Sequence, residues 1–218
     1  MKVVFFDLDN TLCDIKQYSL GAFKKISIYL SKECGASRQK VYKNLVNLWQ
    51  RKTSYYPYLF NDLLDALGIK DDRLIKKIVD IFNEHKGVLR PYSDAIPVLK
   101  ELRRRGYKLG IITDGNVKRQ KRKIKSLGIR KFFATTVCTK ETAPKPSPEP
   151  FLTAIQKINV NPGNAFYVAD NPLIDFEGAK KVGMKTIRLK KGEFAKISKN
   201  KYIDLEIKKF NEILNIIK

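Results

Sequence analysis

Two patterns of apolar spacing divide the chain. Residues 3–6, Val-Val-Phe-Phe, form an unbroken apolar run that ends on Asp7. A run without alternation and without a hairpin partner reads as a buried parallel strand. From residue 14 to residue 88 strand signals vanish and apolar residues recur every three or four positions: Leu20, Phe23, Ile26 and Leu30, then Val41, Leu45, Leu48 and Trp49, then Leu63, Leu64 and Leu67, then Leu74, Ile78 and Phe82. This spacing predicts four helices, with Ser37 as an N-cap and Gly68 as a stop. After Pro91 the two patterns alternate. A helix over 93–105, a strand over 108–113, a basic helix ending at Gly128, a short strand over 135–139, a turn with Pro144, Pro146 and Pro148, a helix through Ile158, a strand over 165–169, a helix ending near Gly183 and a strand over 185–189 follow in order. The last fifteen residues predict an amphipathic helix, with Ile207, Phe210, Leu214 and Ile217 on one face. Alternating β and α elements imply an α/β fold: a Rossmann-like parallel sheet with helices on both faces, over 1–13 and 89–218, and an inserted four-helix domain over 14–88.

Composition narrows the class. The 218 residues are 43% hydrophobic and 30% charged, ordinary for a water-soluble globular protein. No apolar run reaches the length of a membrane span, and the apolar start is too short for a signal peptide. Cys13, Cys34 and Cys138 are too few and too scattered for a disulfide framework or a metal site, which suits a cytoplasmic location. Cys13 reads as a small buried hydrophobe, and His85, the lone histidine, as non-catalytic.

The net charge of +22 is unusual. Residues 100–131 hold 13 Lys and Arg against Glu101 and Asp114, a net +11. Such a field draws anions: phosphorylated metabolites, nucleic acid or acidic membranes. A solvated lysine-rich face is the plainer account. A nucleic-acid-binding protein using the basic 100–131 stretch is a second class of reading. Against it, aromatics are not interleaved there as a single-strand platform requires, and no helix-turn-helix or zinc-finger pattern occurs.

The candidate chemistry lies at strand ends. Asp7 and Asp9 are spaced i, i+2, which on a strand puts both carboxylates on one face. Their repulsion calls for a shared proton or a hard cation such as Mg²⁺. In open α/β sheets ligands bind beyond the carboxyl ends of the strands. The second strand ends at Thr113-Asp114, the turn after the third carries Lys145, and the fourth ends at Asp170 with Asp175 following. Carboxylates suit a metal ion, and a lysine, a hydroxyl and helix N-termini suit a phosphate. Together they predict phosphoryl transfer.

Asp7-Leu8-Asp9-Asn10-Thr11, the Thr113 turn, Lys145 in Lys-Pro-Ser-Pro, and Asp170-Asn171-Pro172-Leu173-Ile174-Asp175 resemble, in order and in context, the four motifs of the haloacid dehalogenase superfamily, helical-cap phosphatase branch. The resemblance spans the whole chain, the inserted helices standing where that branch has its cap. It implies that Asp7 is the nucleophile and Asp9 the general acid and base. It implies that Thr113 and Lys145 hold the phosphoryl oxygens with help from the Asp114 backbone, and that Mg²⁺ sits on Asp7, the Asp9 carbonyl and Asp170. Asp175 would orient that shell, Thr11 would support the turn and Asp9, and Lys145 would offset the charge on Asp7 and Asp170. The position before Asp170, usually glycine in the family, is Ala169 here. Dehalogenases of the superfamily attack carbon without Mg²⁺ and lack the second aspartate, so Asp9 favours phosphorus. The expectation is a phosphatase for a small soluble phosphorylated metabolite. A phosphomutase or phosphotransferase of the same superfamily is the alternative, and the oligomeric state stays open.

Overall fold

The computed structural model describes residues 1–217. The chain divides into two compact units, one of Met1–Asp14 with Leu89–Lys218 and one of Ile15–Val88.

The first unit is built on a six-stranded, all-parallel sheet. Its strands are β1 (Val3–Phe6), β2 (Lys108–Thr113), β3 (Thr135–Cys138), β4 (Ala165–Ala169), β5 (Lys185–Leu189) and β6 (Leu205–Ile207), in the order β3-β2-β1-β4-β5-β6. This is the doubly wound order of Rossmann-like folds. The main helices are α5 (Ala95–Arg104), α6 (Val117–Ser126), α7 (Glu149–Ile158) and α8 (Phe176–Lys181). The connections through α5 and α6 step one way along the sheet, and those through α7 and α8 step the other way. Right-handed crossovers therefore place the two pairs on opposite faces.

β1 is central and buried on both faces, which is why its sequence does not alternate. Val3 and Phe5 join Phe151, Ala154 and Ile155 of α7 and Phe176 and Ala179 of α8 in one core. Phe6 faces the other way, its ring 6.3 Å from that of Phe133 and 5.6 Å from that of Phe210. Phe5 is registered against Gly110 on β2, and a Cβ at Gly110 would come within 2.5 Å of the Phe5 ring. The glycine gives the phenylalanine its space.

The chain's last segment departs from the expected terminal helix. Leu205–Ile207 pairs in parallel with β5 as an edge strand, and only a 3-10 turn over Phe210–Glu212 and a short helix α9 (Ile213–Ile216) follow. Lys218, the final residue of that expectation, lies outside the described residues. Of the expected inward face, Ile207, Phe210 and Ile217 are buried and Leu214 is half-buried. An open sheet edge offered Leu205–Ile207 ladder hydrogen bonds, and a strand followed by a tight turn buries the same side chains as a helix would.

The second unit contains α1 (Lys16–Cys34), α2 (Arg38–Lys52), α3 (Leu59–Ala66) and α4 (Asp72–Glu84). Ser37 caps α2 by accepting the Lys40 N–H, and Gly68 takes a left-handed φ of 70° after α3. Phe23 packs against Trp49 and Phe82 at the centre of the unit. His85 is buried there, edge-on to Tyr18. Among the described residues, no helix is long and apolar enough to cross a membrane.

Replacing Gly110 by alanine should force Phe5 off its rotamer and destabilise the sheet by about 1–3 kcal/mol, as overpacking does. Urea unfolding followed by circular dichroism would register this as a lowered midpoint with an unchanged m-value, and an unchanged midpoint would contradict the packing argument.

Candidate active site

The carboxyl ends of β1, β2 and β4 and the turn after β3 meet around one lysine. Lys145 is 2% exposed. Its Nζ donates to Asp7 Oδ1 at 2.7 Å and to Asp175 Oδ1 at 2.7 Å, and it lies 3.6 Å from Asp114 Oδ2. Glycine secures this placement. A Cβ at Gly178, on α8, would meet the backbone oxygens of Ser147 and Pro146 at 2.5 and 2.6 Å. The helix can approach the lysine-bearing turn that closely only because the side chain is missing.

The carboxylates around Lys145 are held in place by further hydrogen bonds, to the backbone for Asp7 and to the carboxylates themselves for Asp175 and Asp114. The Asp7 backbone N–H extends the ladder to Val168 O at 2.9 Å, so its carboxylate projects from a rigid strand end. Asp175 accepts the Tyr167 hydroxyl at 3.2 Å and the Asn171 N–H at 3.0 Å. Asp114 accepts from the Thr139 hydroxyl and, at 3.5 Å, from the Lys145 N–H. The chain reverses after Asp9 through Asn10, at φ 59°, with the Leu12 N–H donating to Leu8 O at 2.9 Å.

Several details differ from the sequence reading. Lys145 makes its direct contacts to Asp7 and Asp175, and acts on Asp170 through its charge alone. Asp175 is thus a buried partner of the lysine. The Thr11 hydroxyl turns to Asp170 Oδ1, at 3.4 Å, and not to Asp9. Asn116 caps α6, accepting the Arg119 N–H at 3.0 Å. These substitutions share one cause: side chains of similar reach compete for each partner, and spacing along the chain does not rank them.

Asp170 is the carboxylate least provided for. It is buried, and its Oδ2 has no hydrogen-bond partner among the described residues. Burial, with the charges of Asp175 and Asp7 added, pushes it well above the usual carboxylate range. Burial likewise pushes Asp7 up to about 8, against the pull of Lys145 and with the Asp175 charge adding to the rise. Buried carboxylates short of positive charge, one with an unpartnered oxygen, fit a hard cation. Among the described residues no three His, Cys, Asp or Glu side chains form a ready cluster. A set of Asp7, Asp170 and one backbone carbonyl completed by water is the sparse kind that Mg²⁺ accepts.

Asp9 has different company. Lys123 Nζ donates to its two carboxylate oxygens at 2.8 and 2.7 Å, and Gln120 Nε2 to Oδ2 at 3.1 Å. Burial would raise Asp9, but the Lys123 charge and the hydrogen bonds from Lys123 and Gln120 hold it below the usual value. Gln120 also donates to Thr113 Oγ1 at 2.8 Å. Neither residue stands out by motif. The signal lay in helical spacing: Ile124 and Leu127 mark the inward stripe of α6, and stepping back along it reaches Lys123 and Gln120. Two polar side chains on a buried stripe need partners. Arg188, fully buried on β5, was also missed. It donates to the Asp170 backbone oxygen at 3.3 Å, to Phe194 O at 2.7 Å and to Ile197 O at 2.9 Å.

Residues 4–189 match the model of the family described as haloacid dehalogenase-like hydrolase. The chain belongs to that family. Among relatives of this hydrolase, a protein of Methanopyrus kandleri named glyceraldehyde 3-phosphate phosphatase is 31% identical, the alignment covering 100% of this chain and 97% of the relative. A Pyrococcus furiosus protein of the same name is 32% identical over 100% of this chain and 93% of the relative. A crystal structure described as a HAD phosphatase from Thermococcus onnurineus superposes with a TM-score of 0.73 at 27% identity, covering 100% of this chain and 98% of that one.

Replacing Lys145 by methionine would leave Asp7 and Asp175 facing each other across a buried gap. The expected loss of stability is about 3–5 kcal/mol, the cost of breaking a buried ion pair from one side. Chemical denaturation of this variant would check it, and a loss under about 1 kcal/mol would show that the lysine is not what holds the cluster together.

Proposed function

We propose that this hydrolase is a Mg²⁺-dependent phosphatase that cleaves a small phosphate monoester through an aspartyl-phosphate on Asp7. One observation carries the reading. Two carboxylates leave the same strand end into different environments, Asp7 beside Lys145 and the underserved Asp170, and Asp9 beside Lys123. Environments that separate a like pair also separate their roles.

Asp7 is the nucleophile, held at a strand end where its backbone cannot drift. Lys145 and the Thr113 hydroxyl bind phosphoryl oxygens, with the Asp114 backbone N–H as a further donor, and neutralise charge that builds up as the phosphoryl group transfers. Asp9 gives a proton to the leaving oxygen and then takes one from the attacking water. Asp7, Asp170 and the Asp9 carbonyl would hold Mg²⁺, which supplies charge neutralisation for the phosphoryl group and for the carboxylates themselves. Asp175 and Tyr167 keep Lys145 aimed, and Thr11 and Arg188 brace Asp170.

The names of the relatives support a short phosphorylated carbon chain as substrate, and the net charge of +22 supports an anionic one.

Incubation with triose and other sugar phosphates should release inorganic phosphate only with Mg²⁺ present. EDTA should abolish turnover and added Mg²⁺ restore it. Asp7→Asn should lower kcat/KM by at least about a thousandfold, as loss of a covalent nucleophile does. Full activity in either the EDTA-treated enzyme or Asp7→Asn would overturn the proposal.

A further inference from the structure

Helix α6 turns two polar side chains inward, one turn apart. Gln120 is fully buried and Lys123 is 2% exposed, whereas Lys118, Lys121 and Lys125 on the same helix are exposed. Lys123 gives its ammonium to both oxygens of Asp9. Gln120 Nε2 lies 3.1 Å from Asp9 Oδ2, 2.8 Å from Thr113 Oγ1 and 2.6 Å from the Asp114 backbone oxygen. A primary amide has two N–H bonds, so three oxygens share two hydrogens. The amide's own Oε1 is buried with no partner among the described residues. Burying a lysine and an incompletely satisfied glutamine costs stability that an apolar stripe would not.

Resting on the phosphatase reading above, we propose that Gln120 and Lys123 are positioning residues for the proton transfer. They fix the orientation of the Asp9 carboxyl group and turn the Thr113 hydroxyl hydrogen toward the phosphoryl group. Thr113 Oγ1 accepts from Gln120, so its own hydrogen is the one left to donate. Three hydrogen bonds from these two side chains hold Asp9 in one orientation toward the leaving oxygen during the first step. In that step the bond from an Asp7 oxygen to phosphorus forms and the bond from phosphorus to the leaving oxygen breaks. One proton passes from Asp9 to the leaving oxygen. In the second step water oxygen bonds to phosphorus, its proton returns to Asp9 and the Asp7–phosphorus bond breaks. Lys123 and Gln120 keep their hydrogens throughout.

Leaving-group dependence tests this. An alkyl phosphate such as glycerol phosphate needs its leaving oxygen protonated, and 2,4-dinitrophenyl phosphate does not. Absence of Mg²⁺-dependent cleavage of both by the unmodified enzyme would overturn the phosphatase reading itself. With that activity present, Lys123→Met should lower kcat/KM by about a hundredfold on the alkyl ester and less than about threefold on the dinitrophenyl ester. An equal loss on both would show a merely structural role and overturn the proposal, as would no loss on either. Should circular dichroism show Lys123→Met to be unfolded, Lys123→Arg carries the same test. It keeps the charge and displaces the donors, and the split should then be about tenfold. Gln120→Met should show the split together with a raised KM on both esters, because Thr113 loses its orientation. Unchanged parameters would remove Gln120 from the pair.

Discussion

The first unit is organised around the burial of one ammonium group. Lys145 is enclosed, and it has to be, because Asp7, Asp175 and Asp114 approach it from three separate stretches of chain. Carboxylates packed this closely in a low-dielectric interior repel each other strongly, and a single interior cation turns that repulsion into cohesion. The requirement reaches outward. Gly178 must lack a side chain so that α8 can reach the lysine-bearing turn, and Tyr167 must spend its hydroxyl on Asp175. The fold brings these pieces together because parallel strands all end at the same edge of the sheet, with β1 between β2 and β4.

The lysine does not complete the balance. Asp170 receives one hydroxyl on one oxygen and nothing from the described residues on the other. A buried carboxylate oxygen left without a donor, with Asp7 and Asp175 adding their charge, marks a local deficit. The deficit is positive charge, and it adjoins the strand end that carries Asp7. Stability and chemistry pull in opposite directions at this point. A fully neutralised cluster would be more comfortable and would have no affinity left for a cation or for a phosphate brought in with one.

Much of this was legible in the sequence, and the reason is geometric. A strand's carboxyl end is marked by where an apolar run stops, so Asp7, Thr113 and Asp170 could be placed in one mouth before any coordinates. The parallel sheet with helices on both faces followed from the alternation of elements, and four helical stretches over residues 14–88 from their period. Pairings inside the mouth were less accessible. Asp175 in place of Asp170 beside Lys145, and Asp170 in place of Asp9 beside Thr11, are choices among groups a few ångströms apart. The chain's end was misread for a related reason. The spacing of Ile207, Phe210, Leu214 and Ile217 suits a helix, but a sheet edge with unpaired backbone groups competes for the same residues.

The basic stretch shows where composition misleads and periodicity corrects it. Counted as charge, residues 118–125 are a run of lysines and arginines of the kind a solvated helix carries. Resolved by face, they separate. Lys118, Lys121 and Lys125 point to solvent, where neighbours of like charge are screened. Lys123 lies on the same stripe as Ile124 and Leu127, where an unpaired ammonium would be intolerable, and it reaches Asp9. A helix can thus serve a broad electrostatic field with one face and a single carboxylate with the other. The Asp7 and Asp9 carboxylates, two residues apart just past the end of β1, accordingly meet different lysines. Lys145 comes from the turn after β3 and Lys123 from the helix after β2, and the proposed division of roles between a nucleophile and a proton carrier rests on that separation of partners.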